Sequence, residues 1–211
     1  MDPIANCPQA HSIRLSSGVG AAYGRRMLVS AREAAVRLST IGMPRRQAGL
    51  ALGAGLAGEP LRTSSATLYE AGRIDDLLAR PVVATGAVFR ECPFGLFLDR
   101  RVTDVRRLEE LGLSAVEDLR LGVWAGALLG LSIDQDGPLP YVSTVCGFVV
   151  LGGEIVDVTS GANGRHRLHL TDPGPWFDAW RGHRWPTGAG REWSLLGRPG
   201  VTGVAVGESG T

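Results

Sequence analysis

Apolar positions in the first third of the chain repeat at helical and then at extended spacing. In "LVSAREAAVRLS", Ala34, Ala35 and Leu38 recur at the interval of one helical face. Ser30 stands in front of them as an N-cap, and Glu33 follows three residues on, which makes a capping box. This helix is expected to stop near Ser39, with "TIG" as the turn. In "MPRRQAGLALGAGL", Ala48, Leu50, Ala51 and Leu52 form the apolar side of a second helix, and Pro44 suits its first turn. Gly49 and Gly53 weaken it, each by up to about 1 kcal/mol against Ala, and Gly55 ends it. "EPLRT" and "ATLYE" read as two short strands around Ser64 and Ser65. "EAGRIDDLLAR" predicts a third helix with Ile74, Leu77 and Leu78 inward, and Pro81 closes the module. For Ala34, Ala35, Leu38, Tyr69, Ile74 and Leu77 a place in the core is expected.

Beyond residue 81 the pattern is mixed. "VVATGAVF" reads as a strand, "ECPFGLFLDRR" fits helix and strand equally, and residues 103–111 read as helical. "LGLSAVEDLRLGVWAGALLGL" carries a second capping box, Ser114 with Glu117, and lines Val116, Leu119, Val123, Ala127 and Leu128 along one helical face. "DQDGPLP" is a turn. "YVSTVCGFVVLGGEIVDVT" predicts two strands joined near Gly152 and Gly153. "RHRLHLT" is a short strand, and "DPGPWFDAWRGHRW" has room for one helical turn. Residues 1–26 read as a flexible arm and 199–211 as a disordered tail. The expected fold is α+β: a helical and hairpin module over 27–81, then a small mixed α+β domain over 82–198.

Charge sharpens the division. Between residues 11 and 62 there are eight Arg against two Glu, an excess of six positive charges, although the whole chain carries only +1. After residue 81 the acidic residues outnumber the Arg. A basic module joined to a mildly acidic one suits one part that meets phosphate and one that does not. All 22 basic residues are Arg, the composition of a GC-rich coding sequence, so a single Arg carries little weight by itself.

The order of capped helix, turn, basic-tipped helix, hairpin and acidic helix, with the words "LVSAREAAVRL", "PRRQAGLALGAGL" and "LRTSSATLYEAGRIDDLL", resembles the winged-helix family shared by MerR-type regulators and phage excisionases. The resemblance covers residues 28–81, a quarter of the chain. It implies a second helix that enters the major groove and a hairpin wing ending in a Tyr, here Tyr69, with a helix packed behind it. The aromatic pair usual after the second helix in MerR regulators is replaced here by "LALGAGL", and no heptad coiled coil follows.

The residue chemistry points the same way without the family. Arg45, Arg46 and Gln47 open the second helix, where an Arg can donate two hydrogen bonds to guanine and a Gln can pair with adenine. Arg62, Thr63, Ser64 and Ser65 put one cation and three hydroxyls at the hairpin tip, suited to phosphate or the minor groove. The alternatives are a set of solvated Arg on a small helical domain and a winged helix that binds protein.

Other constellations carry less. His166, His169 and His183 do not make a metal set, because strand positions three apart face opposite sides and no Cys pair stands at ligand spacing. Cys146 with Asp157 and a His would make a nucleophile, but a Cys in an apolar strand is usually inert. Arg165, Arg167, Arg181, Arg184 and Arg191 interleave with Trp176, Trp180, Trp185 and Trp193. Such a set either grips nucleic acid or a partner or fills a core. Helical spacing makes Trp180 and Arg184 the candidate partner surface. No apolar run of about 18 residues exists, so no membrane span is expected, and no secretory signal is expected either. Cys7, Cys92 and Cys146 are few and far apart, which fits a reducing cytoplasm.

The expected function is sequence-specific binding of double-stranded DNA, as a bacterial transcription regulator associated with the nucleoid. No cofactor, metal or catalytic residue is expected, and residues 82–198 are expected to contact a ligand, a second copy or another protein. The alternatives are an excisionase-like DNA-bending factor, and an enzyme or adaptor whose activity lies in residues 82–198.

Overall fold

The computed structural model describes residues 27–161, 165–186 and 192–197. The expected arm, the expected tail, Cys7 and Arg191 lie outside the described residues. The fold is mixed α+β, with two sheets among those residues.

The first sheet belongs to the basic module. Strand β1 (Leu28–Ser30) leads into α1 (Ala31–Ser39) and α2 (Arg45–Gly53). The hairpin of β2 (Leu61–Arg62) and β3 (Thr67–Glu70) follows, and then α3 (Ala71–Ala79). Strand β3 is central and antiparallel to both neighbours. Strand β1 has no counterpart in the sequence pattern, since three residues are too few to show a period. The Ser30 hydroxyl caps α1 by accepting from the Glu33 amide at 3.2 Å. The Glu33 carboxylate does not close the box and instead accepts from Arg37 one turn on, at 2.7 Å. Gly55, two residues beyond α2, takes the left-handed φ of +89° that such a stop favours. Ala34, Leu38, Ala48, Ala51, Leu52, Tyr69, Ile74 and Leu77 are buried together, with Ala35 packed against them.

The second sheet has the order β5-β8-β7-β6-β4-β9. Its elements are α4 (Thr85–Glu91), β4 (Leu96–Asp99), α5 (Val105–Leu111), β5 (Asp118–Arg120), α6 (Val123–Asp136), β6 (Leu139–Val145), β7 (Phe148–Ser160), β8 (Arg165–Thr171) and β9 (Trp193–Leu196). Strands β4 and β6 run parallel; the other pairings are antiparallel. Strand β4 is buried on both faces. Phe97 enters one core with Leu129 of α6, and Leu96 and Leu98 enter another with Val88, Cys92, Trp180 and Trp185. The ambiguous "ECPFGLFLDRR" thus supplies a strand, and its unbroken apolar run is that of a strand covered on both sides.

Four expectations for this half are corrected. "VVATGAVF" holds helix α4 rather than a strand, because Val88 and Cys92, one turn apart, reach the tryptophan core together. Ser114 and Glu117 cap no helix. Gly112–Ala115 is a 3₁₀ turn, Asp118–Arg120 pairs with β8, and Glu117 is taken by Arg167 at 2.7 and 3.0 Å. The helical face expected from Val116 to Leu128 does not exist, since α6 begins only at Val123, and its Val123 and Leu128 are exposed. The β6–β7 hairpin turns at Cys146 and Gly147, both at positive φ, and not at Gly152 and Gly153. Those two glycines lie within β7, where a Cβ on Gly152 would stand 2.4 Å from the Phe177 ring.

Packing crosses residue 81. Phe148, at the start of β7, is fully buried in the core of the basic module. The Val105 amide donates to the Ala54 carbonyl at 2.9 Å, and Arg106 pairs with Glu59.

Candidate nucleic-acid interface

Helix α2 buries Ala48, Ala51 and Leu52 and turns Arg45 and Arg46 outward. Its first turn holds no acidic residue, and Pro44 caps it without a side-chain hydrogen bond. The first-turn amides therefore lack the side-chain acceptor that Ser30 supplies to α1, and the end of the helix macrodipole adds positive potential. Among the described residues no carboxylate lies within salt-bridge reach of Arg45, Arg46 or Arg62. By contrast, Arg37 meets Glu33 at 2.7 Å and Asp75 at 3.6 Å. Gln47 is half-buried, and its Oε1 is enclosed with no hydrogen-bond partner among the described residues. It reaches a base edge only by rotating out of that site.

At the hairpin tip the four candidate residues divide. Thr63 builds the turn: its hydroxyl accepts from the Ala66 amide at 2.9 Å, and its own amide donates to the Ala66 carbonyl at 2.8 Å. Ser64 and Ser65 are exposed beyond it, and Arg62 is exposed opposite Thr67. Burial pushes the Tyr69 phenol up, and the charge of Arg62 partly offsets this.

Trp180 and Arg184 are not a surface, which corrects the sequence reading. Trp180 is 2% exposed and stacks edge-on against Trp176 and Trp185. Arg184 is half-buried and ties the two halves together. Its Nε donates to the Arg80 carbonyl at 3.0 Å and its Nη1 to the Ile41 carbonyl at 3.4 Å, in the turn before α2. The helical spacing assumed for the pair fails because the 3₁₀ turn Pro175–Ala179 ends before Trp180.

Cys146 occupies the hairpin turn at φ +50°, not a strand, and burial pushes its thiol up, against thiolate chemistry. Asp157 is exposed and accepts from the amide of Val158. His166 is buried beside Gly126, while the His169 ring meets the Thr159 hydroxyl at 2.5 Å.

One polar cluster escaped sequence reasoning. Asp99 is fully buried at the end of β4. It accepts from the Tyr141 hydroxyl at 2.6 Å and from Nη2 and Nε of Arg101 at 2.7 and 3.0 Å. Arg101 also donates to the carbonyls of Asp118 and Val116. Both side chains line a cavity of about 390 Å³ with Thr103 and Arg107. Their hydrogen-bonding capacity is largely used internally, so the cluster fastens β4 to the segment around β5. The signal was the "D" that closes the apolar run of "FGLFLDRR".

No family model, no curated protein and no solved structure matches the chain. Among the described residues no helix is long and apolar enough to cross a membrane.

Proposed function

We propose that the chain binds double-stranded DNA through residues 27–81, with α2 in the major groove and the β2–β3 hairpin against the sugar-phosphate backbone, and that it acts in transcriptional control. The observation that carries this reading is the pair of exposed arginines at the open N-terminal turn of α2, Arg45 and Arg46, with no carboxylate near them among the described residues. Two further features support it. The succession α1, α2, hairpin, α3 follows the order of elements expected from the winged-helix resemblance, and the hairpin carries a third exposed Arg, Arg62. In this reading Arg45 and Arg46 are the base readers, Arg62, Ser64 and Ser65 touch the backbone, and Thr63 shapes the tip. Gln47 supports the helix from within.

The test is selection of genomic fragments on the full chain, followed by anisotropy titration of the selected site over a salt series. Arg45→Ala and Arg46→Ala each weaken the selected site by about 1–3 kcal/mol and relax preference at one position. Arg62→Ala weakens all sequences alike and lowers the slope of log affinity against log salt by about one. Wild-type affinity in both α2 variants, with the circular dichroism unchanged, removes the recognition helix.

A further inference from the structure

The cavity beside Asp99 has a finished floor and an unfinished mouth. It opens past the carboxyl end of β4, whose neighbour β6 runs parallel, the side on which open sheets take ligands. Its volume of about 390 Å³ falls within the range of about 300–1,000 Å³ that ligand sites occupy. At the floor each Asp99 oxygen accepts two hydrogen bonds. Arg101 spends all but one of its N–H groups on Asp99 and on the Asp118 and Val116 carbonyls. That pair is neutral and fixed. One wall is apolar: Leu108 and Val116 are buried in the core that α6 covers, and Val102 and Ala115 pack against it.

The polar groups at the mouth are chiefly donors without a partner. Arg107 and Thr103 line the cavity and are exposed. Among the described residues neither side chain has a hydrogen bond, and no carboxylate lies within salt-bridge reach of Arg107. Asp104 also lines the mouth, but its Oδ1 already accepts from the Arg106 amide at 3.0 Å as the N-cap of α5. A free guanidinium and a free hydroxyl thus outnumber the one uncommitted Asp104 oxygen. What fits is an acceptor-rich head on an apolar body, since a guanidinium takes carboxylate or phosphate in bidentate form.

The segment that lines this mouth also holds the basic module. The Val105 amide donates to the Ala54 carbonyl, just past α2, at 2.9 Å, and Arg106 pairs with Glu59. Thr103 and Arg107 flank those two residues in the chain. A ligand held by both spans the first turn of α5 and restrains the contacts that the turn makes.

We propose that this cavity binds a small organic anion, a carboxylate or phosphate on an apolar body, through Arg107 and Thr103, and that the bound anion tightens the tie between α5 and the end of α2. The anion supplies the partner that Arg107 lacks, and the apolar wall covers its body. Neither statement rests on the DNA-binding reading.

Protein NMR on the full chain, titrated at millimolar concentration with benzoate, phenyl phosphate, benzyl alcohol and benzylamine, tests it. The expected result is a saturable shift of the Thr103 and Arg107 amides with the two acids and none with the alcohol or the amine. Arg107→Ala weakens both acids about tenfold or more, the loss of a charge-assisted contact. Thr103→Val weakens them less. Arg90→Ala, which removes an exposed Arg outside the cavity, changes nothing. Hydrogen exchange at the Val105 amide slows when either acid is bound. Absence of saturable binding by both acids overturns the proposal. So does equal binding of the amine or the alcohol, or binding indifferent to Arg107→Ala with the circular dichroism unchanged. Unaltered exchange at Val105 in the saturated protein overturns the tie to α2 alone.

Discussion

Cys92 and Tyr141 are both buried protonated, and the consequence is read at high pH. Burial, with the charges of Glu91 and Glu154, pushes the Cys92 thiol up to about 12 from its ordinary 9.0. Burial and the neighbouring Asp99 raise the Tyr141 phenol well above its ordinary range. In the unfolded chain the two protons leave at the ordinary values, 9.0 for the thiol and 10.0 for the phenol. Raised values therefore contribute stability that is complete below about pH 9 and is lost as the pH climbs toward 12. Melting temperature should be flat from neutral pH to pH 9 and fall steeply above it, with a shallower fall in Cys92→Ala. The same physics explains why this site was hard to read in the sequence. Asp99, Arg101 and Tyr141 are brought together by the parallel pairing of β4 with β6, and no local spacing records that. Arg45 and Arg46 needed no such pairing, because a helix start is a local event.

The helices and the hairpin of the first module, though not β1, were legible because each carried its own signals. A cap at Ser30, a φ-positive Gly after α2 and a three–four apolar period each act within one turn of helix. The second half was misread where tertiary contact overrides local preference. Gly152 and Gly153 have the composition of a hairpin turn, yet they are strand residues whose missing side chains admit the Phe177 ring. The true turn uses Cys146, a residue that rarely accepts positive φ. Gly152→Ala should therefore destabilise by about 1–3 kcal/mol, the cost of overpacking. Gly130→Ala, which meets nothing within 4 Å of the new methyl, should not. Urea midpoints of the two variants decide the point; equal midpoints would mean that the ring moves aside freely.

At the scale of the whole molecule the basic module does not close its own core. Phe148 reaches it from β7, with the Arg80 guanidinium 5.6 Å from the centre of its ring. Phe148→Ala should cost about 3–5 kcal/mol, and DNA affinity should fall with it although residue 148 lies far in sequence from α2. Chemical unfolding and anisotropy on the same preparation check this; a stable variant with lost affinity, or the reverse, separates the two halves. Composition could show the charge asymmetry between the halves, but not that a residue of the acidic part packs inside the basic one.

Strand β4 is made long before its cover. Its two neighbours in the sheet are β6 and β9, and β9 begins at Trp193. At a synthesis rate of about 5–20 residues per second, β4 waits roughly 5–20 seconds between its own emergence and that of β9. During that time one edge of an apolar strand is bare. A ribosome that stalls after β8 holds a chain whose open edge can pair with the same strand of a neighbouring nascent chain, so termination between β8 and β9 favours aggregate over a shortened folded protein.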